Sequence, residues 1–135
     1  MGGNSKMTSV IIVALTILGE ARGEGDGGMY RVACVIQQRQ INRGMSAKAV
    51  CLERRQFSCW NKRGGPPKSL LNSAEGKRAL QLAKQIEQGQ QLKRHLVGSA
   101  DHYCTLKTFP KWAKGHKPVA TYGNHKFFKL KKGKK

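Results

Sequence analysis

The sequence predicts a single, mainly helical α+β domain with a small β part, and three observations carry that prediction. Val10 to Leu18 is a nearly unbroken apolar run, hydrophobic almost all round, which reads as a buried helix. Ala79, Leu82, Ala83 and Ile86 recur at spacings of three and four, the stripe of an amphipathic helix. After Ala100 the pattern breaks into short aromatic pieces around Tyr103, Phe109, Trp112, Tyr122 and Phe127-Phe128. Turn signals at Pro110, Pro118 and Gly123 separate them, which predicts short strands and loops. A length of 135 residues with 39% hydrophobic content suits one domain with one modest core.

The elements follow in order. Met1 to Lys6 is a polar lead-in. The first helix runs from about Thr8 to Ala21, with Thr8 or Ser9 as its N-cap. Its apolar stretch follows Lys6 and mimics the hydrophobic part of a signal peptide. It falls short of the roughly 20 residues a membrane span needs, and no small-x-small cleavage site precedes Glu20. A buried helix is the reading adopted. Gly23, Gly25, Gly27 and Gly28 then predict an acidic, flexible loop. A second helix is expected from about Met29 to Asn42, with Val32, Ala33, Ile36 and Gln40 on one face. Cys51 to Asn61 is mixed in character, and Gly64-Gly65-Pro66-Pro67 is a loop. Ser73 caps a third helix that ends near Gly89, with Glu75 in its first turn, where a negative charge suits the helix dipole. Lys129 to Lys135 reads as a basic tail, leaving 1–128 as the folded domain.

Charge is the extreme feature of the composition. Lys and Arg number 26 against seven Asp and Glu, a formal net charge of +19, and no acid follows Asp101. Such a surface calls for an anionic partner: nucleic acid, a membrane, or a wall polymer bearing carboxylates or phosphates. Cys34, Cys51, Cys59 and Cys104 show no CxxC spacing and read as free, partly buried thiols. No GxxxxGK[ST] phosphate loop is present, and no HExxH or similar spacing joins His95, His102, His116, His125 and Cys104 into a zinc site. No cysteine sits in a recognised nucleophile motif, and no cofactor is implied.

Carboxylates are scarce, yet Glu20, Glu24 and Asp26 fall within seven consecutive residues at the end of the apolar helix. Acid/base chemistry is one specific reason to gather them there. Gly19-Glu20-Ala21-Arg22-Gly23-Glu24, followed by Gly28, Val32-Ala33 and Val35-Ile36, resembles the opening motif of the SleB/CwlJ-type cell-wall hydrolases, a family that includes spore-cortex-lytic enzymes and phage lysins. Gln56-Phe57-Ser58-Cys59-Trp60-Asn61 is similar to the family's second block. Ala100-Asp101-His102-Tyr103, Pro110-Lys111-Trp112 and Gly123-Asn124-His125-Lys126-Phe127-Phe128 resemble the third. The blocks stand in family order over about residues 10 to 128. The chain departs from the usual pattern at Gln38, Arg31, Asp101 and Cys104, where Asn, a small apolar residue, Thr and often His are the family's choices.

The resemblance implies a lysozyme-like layout and cleavage of peptidoglycan glycan strands between N-acetylmuramic acid and N-acetylglucosamine. Such cleavage needs a carboxylic acid to protonate the departing glycosidic oxygen. Apolar surroundings hold such an acid protonated, and cationic neighbours act the other way. Hydrolysis adds a second carboxylate; lytic transglycosylation does not, because the muramic acid C6 hydroxyl attacks and the same glutamate takes its proton. The family implies Glu20 as acid and then base, with Glu24 as the fallback second carboxylate or else a packing partner for Arg22 or Arg39. Trp60 and Tyr103 are candidates to stack on sugar rings, and Trp112 reads as cleft wall. Ser58 and Asn61 are candidates to bond N-acetyl groups, and His102 and His125 to position Tyr103 or substrate.

The expected protein is therefore a monomeric, single-domain lysin of phage type that needs no cofactor. It would be made in the host bacterial cytoplasm and act on the cell wall after release through a holin or from outside, with the basic C-terminal region drawn to the anionic envelope. A muramidase or an N-acetylmuramoyl-L-alanine amidase is the enzymatic alternative. The non-enzymatic one is a basic module binding nucleic acid or envelope, for which no RNP, zinc-finger or helix-turn-helix signature is present.

Overall fold

A computed structural model describes residues 8–53, 57–61 and 65–130. The apolar run forms α1 (Ser9–Ala21), and its N-cap is Thr8, whose side chain accepts from the Ile11 N–H. Ile12 to Leu18 are all buried, so this helix is the axis of the core. It packs on α2 (Gly25–Arg43), α3 (Ala47–Leu52) and α4 (Ala74–Glu87). Among the described residues no helix is long and apolar enough to cross a membrane.

The glycine-rich stretch departs from the expected loop. Arg22–Glu24 make one 3-10 turn, and α2 starts at Gly25, four residues before the predicted start at Met29. The glycines serve close approach here. A side chain at Gly27 would collide with the Tyr122 ring, and one at Gly28 would collide with Cβ of Glu24. Only Gly25, with φ +76°, uses the backbone freedom the sequence reading assigned to all of them. Further along, Val32 to Arg39 are buried without interruption, so α2 is covered on more than the one face its periodicity indicated. A short helix, α3, stands where no element was expected, with Ser46 as its N-cap. By contrast α4 follows its stripe: Ser73 caps it by accepting from the Gly76 N–H, and Ala79, Leu82, Ala83 and Ile86 are all buried.

The aromatic pieces form one antiparallel sheet of β1 (His102–Thr105), β2 (Ala120–Tyr122) and β3 (His125–Phe128), in the order β1-β3-β2. Tyr103 pairs with Phe127, and His102 with Phe128. Because side chains alternate across a strand, Tyr103, Phe127, His125 and Tyr122 share the face toward the helices. His102, Cys104, Lys126 and Phe128 share the outer face. Asp101 ties this sheet to α2. Its N–H donates to the Phe128 carbonyl, its carbonyl accepts from Arg39 Nε at 2.6 Å, and its carboxylate accepts from the Leu130 N–H and Asn42 Nδ2.

Candidate active site

Glu20 lies in the last turn of α1, half-buried, where the core helix reaches the surface. Two donors hold its carboxylate. The Tyr103 hydroxyl donates to Oε1 at 2.5 Å, and the backbone N–H of Cys59 donates to Oε2 at 3.2 Å. The first comes from the sheet and the second from the one-turn helix Ser58–Trp60, so three separate segments meet at one carboxylate. Gly19 makes the second contact possible: a Cβ there would lie 2.5 Å from Cys59 Cβ and 2.9 Å from its sulfur.

Burial, followed by the adjacent Glu20 charge, pushes the Tyr103 phenol well above its ordinary range. It stays a neutral donor at any working pH. Burial first, and then Glu20, likewise push the Cys59 thiol up, which disfavours a thiolate beside the carboxylate. Behind Tyr103 sits Arg39, buried with its guanidinium 4.8 Å from the Phe57 ring centre; burial is the largest influence lowering its pKa.

In front of Glu20 is an open depression of about 420 Å³ lined by Leu18, Gly19, Glu20, Ala21, Arg22, Gly23 and Glu75. Glu75, in the first turn of α4, is the residue the sequence reading missed as a site candidate. Its position there is explained by the helix dipole alone, so nothing in the sequence marks it as a neighbour of Glu20.

The other candidates divide into groups. Glu24 Oε1 accepts from the Asn124 N–H at 3.3 Å and lies 3.6 Å from His125 Nδ1, so its partner is the β2–β3 turn rather than Arg22 or Arg39. His125 in turn meets the Tyr103 ring edge-on, with centroids 5.4 Å apart. Trp60 donates its indole N–H to Thr16 Oγ1 at 2.7 Å and packs its ring on Gly65, and it is not among the residues that line the depression. Asn61 is exposed, and the Ser58 side chain lies outside the described residues, as does Gln56 of the same block. His102 is on the far face of the sheet, bonded to Asp101 at 3.1 Å and packed on Trp112 at 4.9 Å. It does not reach the depression, because strand alternation sends it opposite to Tyr103. All four cysteines are free. Among the described residues no three His, Cys, Asp or Glu side chains gather as a set of metal ligands.

A family model described as Cell Wall Hydrolase matches residues 23–128. The match includes Glu24, Tyr103 and His125 and begins three residues after Glu20. Among solved structures, the catalytic domain of the germination-specific lytic transglycosylase SleB from Bacillus anthracis aligns with a TM-score of 0.65 at 22% identity, covering 93% of this chain and 98% of that one. The catalytic domain of the Bacillus cereus SleB protein aligns with a TM-score of 0.66 at 23% identity, covering 90% and 89%. These likenesses establish a shared, lysozyme-like layout of helices with a small sheet. No curated protein sequence matches.

Proposed function

We propose that this chain, which belongs to the cell wall hydrolase family, cuts the glycan strand of peptidoglycan between N-acetylmuramic acid and N-acetylglucosamine as a lytic transglycosylase, with Glu20 as acid and then base. The observation that carries the reading is the Glu20 carboxylate at an open depression, held by one hydroxyl and one backbone N–H. In the first half of the reaction the protonated Glu20 gives its proton to the glycosidic oxygen, which leaves as the 4-hydroxyl of N-acetylglucosamine. The C6 hydroxyl of the muramic acid then attacks C1, and its proton passes to the Glu20 carboxylate. The products are a 1,6-anhydromuramic end and a regenerated acid, and no water is consumed.

Tyr103 and the Cys59 N–H keep the Glu20 carboxyl group in one orientation through both halves. Glu24 has no such freedom, because the hairpin turn occupies its Oε1. If water replaces the C6 hydroxyl, the second carboxylate is Glu75, which lines the same depression as Glu20. The remainder of the proposal is a monomeric lysin of phage type whose residues 1–128 form the catalytic domain. It reaches the wall through a holin or from outside, and its basic C-terminal region, ending in 129–135, draws it to the anionic envelope.

Glu20→Gln tests the assignment. Loss of a single acid/base group lowers rates by about 100-fold or more, so lysis of purified walls should fall at least that far while the urea midpoint stays put. A residual rate above about a tenth of wild type, against that same expectation, would remove Glu20 from the catalytic role.

A further inference from the structure

The outer face of the sheet, turned away from Glu20, carries a second cavity that the glycan reading does not use. It has a volume of about 590 Å³, and Phe109, Pro110, Lys111, Lys114, Lys126 and Phe128 contribute to its lining. Phe128 closes its floor, itself packed edge-on against Trp112 with centroids 5.3 Å apart. On its rim Phe109 is 82% exposed, far more than any other large hydrophobic side chain of the described residues. The Lys126 ammonium lies 4.2 Å from the Phe109 ring centre and donates to the Leu106 carbonyl at 3.2 Å, which holds the pair in place. Residues 102–135 contain ten lysines and no acid.

We propose that this groove binds anionic phospholipid at a bilayer surface. The lysines take the headgroup phosphates, and Phe109 enters the boundary between headgroups and acyl chains. The chemistry selects this occupant among anionic ones. A wall polymer of phosphates and sugars satisfies the lysines and can lay a sugar on the phenyl ring, but it has no apolar layer to fill the proline-lined groove. An anionic lipid offers both a phosphate and an apolar layer, and aromatic side chains are favoured at that depth. Basic side chains near such a surface are attracted over about a Debye length. The inference rests on the envelope part of the proposed function and moves its anchor from the lysines of 129–135 to a built groove. It places glycan and membrane on opposite faces of the same small sheet.

Co-sedimentation with vesicles tests it, using phosphatidylglycerol mixed with phosphatidylcholine against phosphatidylcholine alone, at physiological salt. The full chain should pellet only with the anionic vesicles. Phe109→Ala should weaken that binding about 10-fold, the equivalent of one phenyl side chain withdrawn from an apolar layer. Lys111→Ser with Lys114→Ser should weaken it further, and cleavage of purified, lipid-free peptidoglycan by Phe109→Ala should stay at the wild-type rate. Phe109 is exposed, so its loss leaves the fold intact. Binding by Phe109→Ala within twofold of wild type overturns the groove. If deletion of 131–135 then abolishes binding, the envelope reading survives with the tail as its anchor. Failure of the wild type to pellet overturns the groove and membrane association together while leaving glycan cleavage standing. Equal displacement of wild type and Phe109→Ala by soluble polyphosphate would mark the site as one for polyanions and overturn the lipid assignment.

Discussion

Glu20 and Glu24 are four residues apart and chemically identical, yet their surroundings differ. Glu20 meets one hydroxyl and one N–H and faces the depression, whereas Glu24 is spent on the Asn124 N–H and His125. Glu24→Gln should therefore keep most of the lytic rate, because an amide oxygen can still accept from Asn124. Tyr103→Phe isolates the role of the phenol. It removes one hydrogen bond to a charged group, about 1.5–3 kcal/mol, while the ring keeps its packing on Phe127 and His125. The lytic rate should drop about 10-fold or more if that bond orients the acid. An unchanged rate would show that the Cys59 N–H suffices. Two buried thiols make a separate prediction. Burial pushes Cys34 and Cys51 up to about 12 from an ordinary value of 9.0. From pH 9 to 12 the unfolded chain gives up protons that the folded chain keeps, so their contribution is intact below pH 9 and is lost as pH rises. The urea midpoint should fall from pH 8 to pH 10, and replacing both cysteines by alanine should flatten the slope.

Among the elements, the three-residue turn Ser58–Trp60 and the glycine that receives it set the position of the acid. Gly19→Ala would raise helix propensity by up to about 1 kcal/mol in isolation. In place it must push Cys59 and Pro66 outward, and overpacking of this kind costs about 1–3 kcal/mol. Thermal stability and lytic rate should fall together; a stabilised, fully active variant would contradict the packing described. The same contrast explains what the sequence disclosed. Helices α1 and α4 were legible because cap, apolar pattern and end signal agree within each. The start of α2 was not, because glycines that admit Tyr122 and Glu24 look like glycines that make a loop. Glu20 was singled out by motif, and Tyr103 by its block, though as a surface for sugar rings and not as the donor to Glu20. The donation from Cys59 could not, since a backbone N–H leaves no trace in residue identity. Gly19, a glycine inside an apolar helix directly before the acid, was the available sign of that close approach.

For the whole molecule, the dominant quantity is the net charge of +19, with every acid at or before Asp101. Under the proposed function the helical part would hold the glycan chemistry, and the lysine-rich part after it would set how the protein approaches an anionic target. Lysis of whole walls should fall steeply as salt rises from low to physiological and beyond, because exposed charges are screened past about 8–10 Å. Cleavage of short, soluble glycan fragments, which on this proposal needs only Glu20 and its two donors, should change much less. Equal salt dependence for both substrates would place the charge in the chemistry itself.

Mass spectrometry of the soluble fragments released from purified peptidoglycan, with wild type and Glu20→Gln side by side, tests the central claim most directly. The predicted products are muropeptides lighter by one water, ending in 1,6-anhydromuramic acid, and absent with the variant. Reducing-end sugars from the wild type, or anhydro products that persist in Glu20→Gln, would contradict it.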